Sequence, residues 1–139
     1  MSQTWERRKV QTTSNAMTTQ REKEREISQA IIRFEKEFMG RGPLDAKTYI
    51  IEDMVLVRLK NVLTQAELKL AQADATRRGR QLIKQMRQEL IDQGRPLLNA
   101  IIKDILGTQV LSLHTDISSK TGERVIVFTL ENNPHFDSV

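Results

Sequence analysis

The chain has 139 residues and a formal charge of +4, with 38% hydrophobic, 29% charged and only 4% aromatic residues; that suffices for one domain with an aliphatic core and not for two. It has no cysteine and two histidines, which excludes disulfides, thiol catalysis, thiolate metal sites and a histidine-rich metal centre. The longest unbroken apolar runs, Met54 to Val57 and Val125 to Phe128, are four residues against the ~20 of a bilayer span, and no apolar leader core follows Met1, so a cytoplasmic location outside the bilayer is expected.

Residues 1–18 are polar, rich in Ser, Thr and Gln, and lack apolar periodicity; they read as a flexible tail, and Met17 offers an alternative start. Thr19 and Glu22 have capping-box spacing, followed by Ile27, Ala30, Ile31, Phe34 and Phe38 at steps of three and four. That predicts an amphipathic helix, stopped by Gly40, Gly42 and Pro43. Lys47 to Ile51 and Met54 to Lys60 then read as a β-hairpin around Glu52-Asp53, a pair that does not favour tight primed turns and so predicts a longer loop.

Thr64 and Glu67 repeat the capping-box spacing and open the longest element. Its expected apolar stripe is Leu68, Ala71, Ala75, Gly79, Leu82, Met86 and Leu90, whose small members would admit a closely packed neighbour. Gly94 and Pro96 are expected to end it, giving roughly 40 Å from Gln65 to Gln93 at 1.5 Å per residue. A short helix would follow with Leu98, Ile101, Ile102 and Ile105 inward and Gly107 as its cap. Gln109 to Ile117 and Arg124 to Leu130 read as a second hairpin turning at Ser119 to Gly122, and 132–139 as a polar tail.

Two constellations carry chemistry. Arg77, Arg80, Lys84 and Arg87 are spaced 3, 4 and 3 and would line one side of a helix, fit for an anion, a phosphate backbone or an acidic partner. A solvated face answered by glutamates of the first helix is the ordinary alternative. The shortage of aromatics argues against nucleic acid, since the hairpins carry only Tyr49 and Phe128 for stacking. Ser112, His114 and Asp116 share one side of a strand; a His beside a carboxylate can serve as a base, but the alternation with Leu111, Leu113 and Ile117 is also that of any half-buried strand. Gly40-Arg41-Gly42-Pro43 lacks the Lys-Ser/Thr of a phosphate loop. No catalytic carboxylate pair, metal cluster or dinucleotide fingerprint is found, so neither cofactor nor metal is expected.

Several stretches, in order, resemble one bacterial family: Gly40 to Pro43, Tyr49 to Leu59, Leu63 to Glu67, Gly79 to Arg87, His114 to Ser118 and Lys120 to Phe128. Together they cover roughly residues 24 to 131 and are similar to the MpsC-like family, named for the third component of a sodium-translocating, membrane-potential-generating system and formerly described only as a domain of unknown function. The resemblance implies association with membrane proteins that support ion movement or inorganic-carbon supply, and carries over no catalytic residues.

The expected architecture is a single α+β domain over 19–131, in the order α-β-β-α-α-β-β, with two hairpins joined in a four-stranded sheet and helices on one face. The other sheet face, or the small-residue groove of the long helix, is open to a second copy, and a homodimer is expected. The expected function is that of a non-enzymatic accessory protein docking a partner, such as a membrane transporter subunit, through Arg77, Arg80, Lys84 and Arg87 together with His114 and Asp116. An anion- or nucleic-acid-binding role for the basic row ranks second, and an enzyme built on His114 and Asp116 a distant third.

Overall fold

The computed structural model describes residues 2–73 and 77–136, with side chains described from Thr18 onward. The elements are α1 (Ser2–Met39), β1 (Asp45–Ile51), β2 (Met54–Lys60), α2 (Gln65–Ala73), α3 (Arg78–Leu106), β3 (Val110–Ile117) and β4 (Arg124–Leu130). The strands form one antiparallel sheet in the order β1-β2-β4-β3, so the α+β architecture and the order α-β-β-α-α-β-β are as expected.

Strand alternation sets the two faces of the sheet. Thr48 and Ile50, Val55, Val57 and Leu59, Leu113 and Ile117, and Ile126, Phe128 and Leu130 are buried on one side. The helices lie there: Ser28 of α1 hydrogen-bonds Thr48 at 2.8 Å, and Ile27, Ile31 and Phe34 join Ile83, Ile91, Leu98 and Ile102 of α3 in one core. The edge of β1 is also served by α1, because the Ile50 N–H donates to Glu24 at 2.8 Å while its carbonyl accepts from Gln20 at 3.0 Å.

Several local expectations need correction. The backbone of α1 is already helical well before Thr19, so that residue does not start the helix; most of the tail expected over 1–18 falls outside the described side chains, as 137–139 lie outside the described residues. The first hairpin turns in two residues, Ile51 pairing with Met54, with Glu52 at φ 56°. The turn is held by the Leu130 N–H, which donates to the Asp53 carbonyl at 2.7 Å, so a neighbouring strand supplies what the residue pair lacks.

The long helix is cut elsewhere than expected. It stops after Ala73, Arg77 takes a left-handed φ of 68°, and α3 then passes through Gly94 and Pro96 to Leu106, where Gly107 caps it. Proline in a helix costs ~3 kcal/mol, but Ile91, Leu98 and Ile102 on either side are fully buried and contribute ~1.5–3 kcal/mol each. Gly94 is there for packing: a methyl group on it would lie 2.5 Å from the Phe34 ring. The buried stripe is also turned by one residue. It runs Gly79, Ile83, Arg87, Ile91, Gly94, Leu98 and Ile102, while Leu82 and Met86 are 50% and 46% exposed.

Candidate functional site

The turn of that stripe places a cation in the core. Arg87 is 2% exposed, so it does not stand in a surface row with Arg77, Arg80 and Lys84. Its guanidinium donates to both Glu67 oxygens, Nε at 2.8 Å and Nη2 at 2.6 Å, and Nη2 also donates to the Val62 carbonyl at 2.9 Å. Glu67 is held in place by the capping box that starts α2: the Thr64 N–H donates to it at 3.0 Å, and its own N–H donates to the Thr64 hydroxyl at 3.2 Å.

Behind this pair lies a second one. Glu35 of α1 is fully buried between Arg124 of β4 at 3.5 Å and Arg87 at 3.9 Å. Arg124 also donates through Nη1 to the Thr115 hydroxyl at 2.9 Å. Two carboxylates and two guanidiniums from α1, α2, α3 and β4 thus form one internal cluster. Burial pushes the Glu35 carboxyl above its ordinary value, against the pull of Arg124 and Arg87. Glu67 also suffers from burial, but its hydrogen bonds from Arg87 and Thr64 outweigh that and hold it below its usual range. Burial likewise lowers Arg124, with Glu35 opposing. Neither Glu35 oxygen has a hydrogen bond among the described residues, so the inner pair is held by charge and the outer pair by charge and geometry together.

Arg77 is exposed and Arg80 half-buried, while Lys84 is exposed and reaches Asp116 at 3.6 Å. Asp116 also accepts from the Ile117 N–H at 2.9 Å. His114 is exposed, and Ser112 is hydrogen-bonded to Thr129. Ser112, His114 and Asp116 share the sheet face turned away from the helices. A pocket of about 300 Å³ between α3 and the β3–β4 end is lined by Lys84, Gln85, Gln88, Asp116, Ile117 and Arg124, without His114 or Ser112.

From sequence, Glu35 is left out and Arg124 is taken only as a charge at the tip of the second hairpin, although a signal for burial existed. Arg124 has the same parity as Ile126, Phe128 and Leu130 on its strand, and Arg87 sits midway between Ile83 and Ile91 at helical spacing. A charged residue in phase with a buried stripe marks an internal ion pair.

Residues 19–132 match the family described as Na+-translocating membrane potential-generating system (MpsC). The chain belongs to the MpsC family. It is 46% identical over 110 residues to "Uncharacterized protein YbcI" of Bacillus subtilis (strain 168), a match covering 79% of this chain and 86% of that protein. No solved structure matches. The MpsC match includes all four members of the charge cluster and the whole sheet. Among the described residues, no helix is long and apolar enough to cross a membrane.

Proposed function

We propose that this MpsC-family chain is a non-enzymatic, cytoplasmic accessory protein of a membrane ion-transport or inorganic-carbon-transport system, docking a membrane subunit from outside the bilayer. The supporting observation is the division of the basic residues. Arg87 is spent inside the core, whereas Arg77, Arg78 and Lys84 remain exposed with Arg80 half-buried on the same helix, and Lys84 reaches the exposed Asp116 of β3 at 3.6 Å. Cations clustered at one end of a helix fit an acidic loop of a partner. The reading is tested by replacing Arg77, Arg80 and Lys84 with glutamate in a strain that carries the native system. Loss of co-purification with the system's membrane subunits, with the variant still folded, is expected; undiminished co-purification refutes it.

The same exposed cations support a second reading, anion or nucleic-acid binding. If three phosphates are contacted, affinity for duplex DNA falls about 40-fold between ~50 and 200 mM salt. Absence of binding at low salt removes that reading and leaves the first untouched.

A further inference from the structure

Among the described residues no element covers the sheet face opposite the helices, whose middle is apolar and whose edges are polar. Register places its residues in three rows from β1 to β3: Ile51, Met54, Thr129 and Ser112; Tyr49, Leu56, Val127 and His114; Lys47, Arg58, Val125 and Asp116. Tyr49 and Ile51 are 44% and 49% exposed, and Met54, Leu56, Val125 and Val127 are partly exposed. Contiguous apolar patches of more than a few hundred Å² are uncommon on monomers. We infer that this face packs on the same face of a second copy, about a two-fold axis that runs along the strands between β2 and β4.

Three observations select that occupant and that axis. First, the rival surface, the small-residue groove of the long helix, is already filled by the chain itself. A methyl group on Gly79 would overlap the Leu70 carbonyl oxygen, and Ala71 is buried, so α2 and α3 close on each other there.

Second, the edge charges Lys47 and Asp116 complement each other about this axis and not about the other, while Arg58 is already paired with Glu123 at 2.7 Å. Rotation about the strand direction lays β1 over β3 of the second copy and keeps each row at its own height. Lys47 then meets Asp116 of the second copy, twice by symmetry, Tyr49 meets His114, and Leu56 meets Val127. An axis across the strands would instead set Lys47 over Ile51 and leave Asp116 facing Ser112.

Third, the size suits a reversible dimer. Four strands ~4.8 Å apart and about 23 Å long give a footprint of about 440 Å² per copy. Two such faces come to about 880 Å², below the ~1,200 Å² of stable interfaces and in the range of weak, transient ones.

The inference goes beyond the docking reading: it takes His114 and Asp116 into the pairing and leaves Arg77, Arg78, Arg80 and Lys84 for a partner, and it needs no membrane subunit, so purified protein tests it. Sedimentation velocity from about 1 to 200 µM is expected to show a concentration-dependent dimer, abolished by Leu56→Glu in a variant whose circular dichroism is unchanged. Lys47→Asp and Asp116→Lys should each weaken the dimer at least tenfold, and the two together should restore it. Lys84→Gln, which removes only the ion pair within the chain, should leave it unchanged.

Because the chain has no cysteine, single Tyr49→Cys and His114→Cys variants give a second measurement. These positions lie on opposite sheet edges, three strand spacings or about 14 Å apart, so in the inferred dimer two copies of one variant hold their cysteines far apart while a mixed pair has them face to face. Mixed and treated with a short bifunctional thiol reagent that spans the ~10 Å between packed sheets, the two variants should cross-link more than either alone. A monomer at every concentration overturns the pairing. A dimer whose charge-swapped double variant is no better than the singles, or whose mixed cysteines do not cross-link preferentially, overturns the axis.

Discussion

Replacing Arg87 by methionine isolates the part played by the internal charges. Methionine approximates the length of the arginine stem and removes only the guanidinium. Glu67 then loses hydrogen bonds of 2.8 and 2.6 Å, the Val62 carbonyl loses its 2.9 Å donor, and Glu35 keeps only Arg124 as a neighbouring cation. The cluster passes from two charges of each sign to a surplus carboxylate in the core. Removing one partner of a buried pair costs ~3–5 kcal/mol, and the partial solvation of Glu67 argues for the lower end, about 3 kcal/mol. Against a typical total of 5–15 kcal/mol, such a variant still folds. With a urea slope of ~2 kcal/mol/M, the midpoint should drop by roughly 1.5 M. Adding Glu67→Gln, which keeps a capping-box acceptor but removes the stranded charge, should recover part of the loss. A single-variant cost below ~1 kcal/mol, or costs that add within ~0.5 kcal/mol, would refute an energetic role for the cluster.

Glu35 and Glu67 should bend the pH profile in opposite directions. The folded Glu35 carboxyl lies above its ordinary value of 4.5, so the folded chain holds a proton that the unfolded chain has lost, and stability declines as pH rises from that value through the folded one. Glu35→Gln removes the decline, so urea denaturation from pH 5 to 8 should show the variant gaining stability relative to the wild type as pH rises; a constant difference contradicts this. Glu67 lies below 4.5, so its contribution is present above that value and lost as pH falls through the folded one, and Glu67→Gln should flatten the acid limb. Gly79→Ala should lower the melting temperature more than Gly94→Ala, because the first meets a backbone oxygen and the second a phenyl ring that can shift, although both exchanges favour a helix by ~1 kcal/mol in isolation. Thr64→Ala should cost about 1 kcal/mol through loss of the cap, read by thermal unfolding.

Much of the fold was legible because it rests on patterns that chain periodicity carries directly. The strands from 47 to 60 and from 109 to 130 alternate cleanly, and the Thr64–Glu67 box forms the bonds its spacing predicts. Helix boundaries were less legible because glycine and proline have more than one use. Gly94 reads as a stop, yet the Phe34 ring requires it; Pro96 reads as a breaker, yet its buried neighbours carry the helix past it. Only tertiary contacts separate those meanings.

The charge cluster was hidden for a different reason. A hydrophobic stripe is traced through apolar residues, so Leu82 and Met86 drew the trace toward themselves and set Arg87 on the opposite, polar side. Shifting the trace by one residue brings Ile83, Arg87 and Ile91 into line and explains why the exposed Leu82 and Met86 are not the core. The same shift divides the basic row: Arg87 turns inward to neutralise Glu67, while Lys84, three residues earlier, extends to the β3 edge and Asp116. One rotation of α3 therefore decides which cations lie in the core and which remain at the surface. Substitutions at 87 should register in folding, and substitutions at 77, 80 and 84 in co-purification with a membrane partner and not in self-association; a variant at 84 that unfolds the chain, or one at 87 that changes co-purification alone, would show that division to be false.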